Sequence, residues 1–89
     1  MHPNVAPPRL VTSPNRETYV GCFEDSNGDQ WLIEIGRRLG EGKLYGGDIG
    51  WDEPVDLIED VMGGELILGS DVANWINVCW KSAIGQWLW

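Results

Sequence analysis

A run of acidic residues without an intervening base is the densest chemical feature of this sequence. No basic residue lies between Lys43 and Lys81, and Trp51 lies inside the run. The carboxylates could form a negative surface that attracts a basic partner, with Trp51 as its apolar anchor, or a close pair could perform general acid–base catalysis. A solvated face that does neither is the third interpretation. The six acids are Asp48, Asp52, Glu53, Asp56, Glu59 and Asp60.

The spacing of these acids predicts that several share one side of a helix. Asp52 is a favourable N-cap, Pro54 is tolerated in a first helical turn, and Gly63-Gly64 would end the helix. On such a helix, Asp52, Asp56 and Asp60 follow i, i+4, i+8 spacing. Like charges at this spacing repel by about 0.2–0.5 kcal/mol per pair. A run that tolerates this repulsion is compatible with selection for its negative field, and a solvated helix face is the alternative.

A second group of acids has the spacing of metal ligands but lacks the rest of the motif. Asp25, Asn27 and Asp29 match the first three ligand positions of a calcium-binding loop. The glycine and the final glutamate of that loop are both missing. Asn27-Gly28 instead favours a hairpin turn, because both residue types tolerate positive φ. The sequence predicts no metal site.

The nucleophilic and imidazole side chains form no catalytic pattern. His2 is the single histidine and lies at the N-terminal end. Cys22 and Cys79 are predicted to face the core, where a thiol behaves as a small hydrophobic group. A thiol nucleophile needs a positioned base, and no candidate base is apparent. We therefore expect a protein that is not an enzyme and needs no cofactor, with a small carboxylate-dependent enzyme as the least favoured alternative.

Residues 17–36 are predicted to form a β-hairpin. With Asn27-Gly28 as a two-residue turn, Cys22 lies opposite Ile33. Side chains alternate between the two faces of a strand, so one face is apolar and is expected to form the core. That predicted core face carries Val20, Cys22, Trp31, Ile33 and Ile35, and the opposite face carries Tyr19, Phe23, Leu32 and Glu34.

The elements that follow complete an α+β pattern. Lys43–Trp51 is predicted as a third strand, with a bulge or close backbone approach at Gly46-Gly47. After the acidic helix, Glu65–Gly69 is a short buried strand or a connector, and Ser70 is predicted to cap a second helix. The stripe of that helix comprises Val72, Trp75, Ile76, Cys79, Trp80, Ala83, Ile84 and Trp87. The β-β-β-α-β-α order predicts an antiparallel three- to four-stranded sheet with two helices packed on one face.

The chain is expected to form one small domain after an extended arm. Residues 1–16 contain four of the five prolines, and residues 17–89 form the single α+β domain. Trp31, Trp75 and Trp80 are predicted to be core residues. The apolar tail either folds back on the sheet or forms an association patch, which would make the chain a subunit of a homo-oligomer. The tail residues are Trp87, Leu88 and Trp89.

The net charge of the chain limits the kinds of partner that it is expected to bind. Fourteen acids and six bases give a net charge of −8 in 89 residues. This balance argues against direct binding to nucleic acid or to an anionic membrane, both of which select basic surfaces. No apolar run indicates a secretory signal or a membrane span, so the cytoplasm is the expected location, with reduced thiols.

In size, charge and lack of catalytic groups, the chain resembles small bacterial or phage-encoded inhibitors. These include anti-CRISPR proteins, DNA-mimic proteins and immunity proteins. The resemblance is one of composition and rests on no matched motif. It implies an inhibitor that occupies a basic surface of a nucleic-acid-handling protein or nucleoprotein complex.

Overall fold

The strands form one antiparallel sheet in which neighbours in sequence are neighbours in space. The computed structural model describes residues 9–11, 17–37 and 41–87. The strands are β1 (Arg9–Val11), β2 (Thr18–Glu24), β3 (Gln30–Gly36), β4 (Gly42–Gly46) and β5 (Gly50–Asp56). Their order across the sheet is β1-β2-β3-β4-β5, so β1 and β5 are its two edges. The predicted antiparallel arrangement is confirmed, and the sheet is larger than expected.

A single long helix, α1 (Ser70–Trp87), contacts β2 and β3. The predicted second helix is confirmed, although Ser70, predicted as its N-cap, is its first residue and the Gly69 carbonyl accepts from Ala73 N–H. The helix approaches the sheet closely at Gly21, where a Cβ atom would lie 2.8 Å from the Cys79 sulfur. Within the described ranges, no helix has both the length and the apolar character needed to cross a membrane.

The core lies between α1 and one face of the sheet. Phe23 and Trp75 stack at its centre, with ring centroids 5.2 Å apart and an interplanar angle of 17°. Stacked aromatic pairs stabilise a fold beyond the area that they bury. The buried residues are Tyr19, Phe23, Trp31, Ile33, Ile35, Leu44, Leu57, Val72, Trp75, Ile76, Cys79 and Ala83. Trp80 is partly buried against this cluster, so Trp31 and Trp75 fit the prediction fully and Trp80 fits it in part.

The β2–β3 hairpin closes through a longer turn than predicted. Gly28 N–H donates to the Asp25 carbonyl at 3.0 Å, and Asp25 N–H donates to the Asp29 carbonyl at 2.9 Å. Gly28 adopts a φ of 86°, in the left-handed region that glycine favours. Residues 26–28 therefore form a three-residue loop, in which a left-handed residue follows a β-turn. The predicted two-residue turn is wrong.

This extra loop residue shifts the hairpin register by one. Cys22 lies opposite Leu32, whereas the prediction placed it opposite Ile33. A shift of one residue turns every side chain of a strand to the other face. Tyr19 and Phe23 are consequently buried, while Val20 and Cys22 lie on the outer face. The β3 half of the predicted core face is right and the β2 half is wrong.

The predicted third strand divides into two strands at Gly46. The chain turns through a 3₁₀ segment (Gly47–Ile49) and returns as β5. The predicted irregularity at the glycine pair is confirmed, because the register shifts between Leu44 and Gly46. Gly46 has a φ of 105°, and a Cβ atom there would collide with the Gln30 carbonyl oxygen. Only glycine fits this close approach.

The helix predicted from Asp52 is wrong. Residues up to Asp56 pair with β4 as strand β5, and a six-residue π-helical turn (Leu57–Met62) follows. Proline disfavours helical backbone at the preceding residue, so Pro54 pushes Glu53 towards an extended conformation. Residues 63–69 form an irregular connector to α1, with no strand. The predicted pair of packed helices is therefore one long helix and one short turn, within the described residues.

Candidate functional site

Exposed acids of the central run lie on edge strand β5 and in the turns on either side of it. Asp52 and Glu53 are exposed on edge strand β5, Asp48 is exposed in the 3₁₀ turn, and Glu59 is exposed in the π turn. We call this group, together with Trp51, the acidic edge. Charged residues and proline on an edge strand also discourage pairing with other strands, which is an alternative reason for their presence.

Trp51 supplies the apolar part of the acidic edge. Its side chain is 52% exposed, although it is one of the largest apolar residues of the chain. Tryptophan is enriched among the residues that carry binding energy at protein interfaces. The expectation that Trp51 is an anchor stays a prediction, and its exposure is compatible with that role.

Asp56 and Asp60 have local structural roles. The Asp56 side chain accepts hydrogen bonds from the backbone N–H groups of Glu59 at 2.8 Å and Ile58 at 2.9 Å, so Asp56 is the N-cap of the π turn. Asp60 accepts from Asp56 N–H at 3.0 Å. The bond from Glu59 N–H, together with Lys43 Nζ at 3.6 Å, lowers the Asp56 pKa. A charge reversal at Asp56 or Asp60 would therefore disturb the fold as well as the surface.

A second acidic feature is a cleft of about 210 Å³ between the hairpin turn, the 3₁₀ turn and the connector before α1. We call it the turn cleft. Its carboxylates belong to Asp25, Asp29, Asp48 and Asp71. Its apolar lining includes Trp31, Ile49, Ile67, Leu68 and Val72. Asp48 therefore belongs both to this cleft and to the acidic edge.

Hydrogen bonds fix the hairpin side of the turn cleft. One Asp25 oxygen accepts from the backbone N–H groups of Asn27 at 2.9 Å and Asp29 at 3.0 Å. The other accepts from Trp31 Nε1 at 2.9 Å, and this bond is the main cause of the lowered Asp25 pKa. Both oxygens of Asp25 thus stabilise the turn. No group of three or more His, Cys, Asp or Glu residues that could hold a metal ion lies within the described residues.

Asp71 joins the helix to the same turn. One of its carboxylate oxygens accepts from both the backbone N–H and the hydroxyl of Ser26 at 3.3 Å, across 45 positions of sequence. The other accepts from Val72 N–H at 3.0 Å. Sequence reasoning did not select Asp71 or Ile67 as site residues. In the sequence, the acids of the hairpin turn are distinguished only by a spacing that resembles that of metal ligands.

We expect the contribution of Asp25 to stability to depend on pH. A carboxyl group whose pKa is lowered by folding stabilises the protein above its unfolded pKa, near 3.8, and loses this effect as the pH falls through its folded pKa. Asp25→Asn should therefore lower the unfolding temperature at pH 7, and the difference from wild type should shrink at pH 3. Thermal unfolding by circular dichroism measures both. Asp29→Asn, which removes an exposed carboxylate, is the control, and an equal Asp25→Asn effect at both pH values would contradict this assignment.

The predicted tail patch is only partly within the described residues. Trp87 is partly buried and packs against the core cluster. The Arg37 guanidinium donates to the Trp87 carbonyl at 3.5 Å. Leu88 and Trp89 lie outside the described residues. Association of copies through this tail stays a prediction.

The two cysteines are free and have different surroundings. Cys79 is buried, and burial raises the pKa of its thiol to about 11. A thiol with a raised pKa is a poor nucleophile at neutral pH. Cys22 is exposed on the outer face of the sheet, so the expectation that both thiols face the core is right for Cys79 and wrong for Cys22.

The acidic edge and the turn cleft are therefore the two surface features on which a functional interpretation depends. Comparisons with models of protein families, with curated proteins and with solved structures gave no match. Function is accordingly inferred from the surface of this chain alone.

Proposed function

We propose that this chain is a protein-binding inhibitor whose acidic edge occupies a basic surface on a nucleic-acid-handling partner. The observation that carries the proposal is the exposure of Trp51 on an edge strand, between acids that are themselves exposed. Interfaces commonly combine an aromatic anchor with a charged rim. Trp51 is the anchor, and Asp48, Asp52, Glu53 and Glu59 are the rim.

The charge distribution around the edge supports a basic partner. The net charge is −8, and the sequence has no base between Lys43 and Lys81. Lys43 already faces Asp56 across the β4–β5 pair, at 3.6 Å between Nζ and a carboxylate oxygen. The carboxylates of Asp52 and Glu53 form no ion pair within the described residues. Unneutralised acids of this kind accelerate encounters with positively charged surfaces.

The proposal agrees with the expectation, drawn from the net charge, that the chain does not bind nucleic acid directly. A negative surface competes with nucleic acid for the same basic site on a partner, because both present negative charge to it. We assign no catalytic role to the carboxylates of the edge. The bound partner would be a basic protein or nucleoprotein complex.

Charge reversal on β5 tests this proposal. We expect Asp52→Lys to slow association by about three- to tenfold at low salt, with a smaller difference at high salt because ions screen exposed charges. The double variant Asp52→Lys/Glu53→Lys should be slower still. The partner is captured from source cells on the immobilised chain and purified, and association rates are measured by surface plasmon resonance at two ionic strengths.

Glu24→Lys provides the matched control for this experiment. Glu24 is exposed on β2, away from β5 in the strand order, and its reversal changes the net charge by the same amount as Asp52→Lys. The proposal requires a larger effect at Asp52 than at Glu24. Equal effects would show that only the total charge matters, and no effect at either position would remove the electrostatic basis of the proposal.

A further inference from the structure

The turn cleft combines an apolar wall with unneutralised carboxylates. Trp31 and Val72 are buried in the wall, and Ile49 and Leu68 are partly buried against the core. Ile67 is 91% exposed beside them. A cleft with a mixed polar and apolar lining and an exposed aliphatic residue is suited to a ligand that has both an apolar part and a polar part.

The carboxylates of the cleft divide into two kinds. Asp25 and Asp71 are held by hydrogen bonds within the turn and at the start of α1. Asp29 and Asp48 are exposed, and within the described residues their carboxylates accept no hydrogen bond and form no ion pair. No basic side chain of the described residues lines the cleft. A positively charged ligand is therefore favoured over a neutral one in this groove, because an unpaired carboxylate is costly to desolvate.

We propose that the turn cleft receives a Lys or Arg side chain of the partner protein. The methylene stem of such a side chain packs on an apolar wall while its cationic head pairs with carboxylates, here Asp29 and Asp48. A bare metal ion has no apolar part and would leave Ile67 and the wall uncovered. This inference rests on the proposed function and deepens it, since Asp48 makes the cleft continuous with the acidic edge.

Amino-acid amides that mimic one partner side chain test the cleft without the partner. N-acetyl-arginine amide and N-acetyl-lysine amide are titrated into the ¹⁵N-labelled full chain and followed by NMR. We expect saturable shifts of the Trp31 indole N–H and of the backbone amides around residues 26–29 and 66–69. N-acetyl-citrulline amide, which is similar in shape and uncharged, should bind at least about tenfold more weakly, as expected when charge-assisted hydrogen bonds are lost.

A pair of neutralised variants localises the binding. Asp29→Asn/Asp48→Asn should weaken binding of the arginine amide by at least about tenfold. The control Glu24→Gln/Glu41→Gln removes the same amount of charge at exposed positions outside both the cleft and the acidic edge, and it should leave the dissociation constant within about twofold. Both pairs are exposed, and the dispersion of the NMR spectrum verifies that each variant is folded.

Several outcomes would overturn the inference. They are equal binding of the citrulline and arginine amides, shifts that avoid the cleft, and no loss of binding in Asp29→Asn/Asp48→Asn. Absence of saturable shifts would overturn it as well. If the amides do not bind the turn cleft while charge reversal at Asp52 slows partner association, the proposed function is retained and only the inference about the cleft is rejected. If the amides bind the cleft while reversal at Asp52 has no effect, the proposed role of the acidic edge fails.

Discussion

Replacing Trp75 with alanine is expected to lower the free energy of unfolding by about 3–5 kcal/mol. Trp75 is 2% exposed and stacks on Phe23 with a centroid separation of 5.2 Å. Its removal leaves a cavity between α1 and the sheet and deletes half of the aromatic pair. Since the free energy of unfolding of small domains is only about 5–15 kcal/mol, this single change would remove a large part of it. Urea unfolding followed by circular dichroism measures the loss.

Trp51→Ala is the matched control for the Trp75 prediction, because it removes the same side chain from an exposed position. Trp51 is 52% exposed, so its removal should change the free energy of unfolding by no more than about 0.5–1 kcal/mol. The same variant should weaken partner binding by about 2 kcal/mol if Trp51 is the anchor of the acidic edge. Equal losses of stability in the two variants would contradict the assignment of one tryptophan to the core and the other to the surface.

Phe23→Asp is expected to unfold the domain, whereas Cys22→Asp should be tolerated. Phe23 is 3% exposed, and an aspartate there combines a cavity with an unpaired buried carboxylate, at a cost of more than about 4 kcal/mol. Cys22 is exposed on the opposite face, where a charged residue should change stability by about 1 kcal/mol or less.

These neighbouring substitutions test the hairpin register directly. Circular dichroism and one-dimensional NMR show whether each variant keeps its helix and its dispersed methyl signals. In the predicted two-residue turn, Cys22 would face the core and Phe23 would face outward. An unfolded Cys22→Asp variant beside a folded Phe23→Asp variant would therefore support that register and contradict the observed one.

The hairpin illustrates how far a local motif can determine structure. Asn27-Gly28 correctly indicates a turn, and Asn-Gly is the preferred centre of a two-residue loop. The overlapping segment 25–28 also fits a β-turn with Asp25 first and Gly28 last, which is equally favourable. Bonds from Asn27, Asp29 and Trp31 to the Asp25 carboxylate favour the second alternative. The Trp31 bond depends on the folded strand, so the turn residues alone could not determine the register.

The helix predicted from Asp52 would begin four residues before the observed N-cap of the π turn, Asp56. Asp52 and Asp56 are both good N-caps by residue type, and the apolar residues after them fit a helix stripe. Asp52 is not the N-cap, because the backbone before Pro54 is extended and Val55 pairs with Leu44 in the sheet. Pro54 is compatible with the first turn of a helix, but a proline is equally compatible with an edge strand. By contrast, the stripe of α1 is long and regular, and the predicted N-cap at Ser70 places the start of the helix within one residue of the observed start.

The candidate site was predictable in its composition more than in its shape. The density of acids around Trp51 is visible in the sequence, and the exposure of most of them follows from their charge. Their position on an edge strand depends on the corrected fold. The turn cleft depends on the contact between Ser26 and Asp71, which are 45 positions apart. Ile67 lies between two apolar neighbours, so nothing in the local sequence distinguishes its 91% exposure.

Hydrogen–deuterium exchange of the chain, alone and saturated with the captured partner, tests the central claim most directly. The acidic edge predicts slower exchange in the 3₁₀ turn and β5, with further protection around residues 26–29 and 66–69 if the turn cleft is filled. The amides of β2 and the middle of α1 should be unchanged. Slower exchange confined to the backbone amides of β2 and β3, or to those of the C-terminal part of α1, with β5 unchanged, would contradict the claim that the acidic edge is the binding surface.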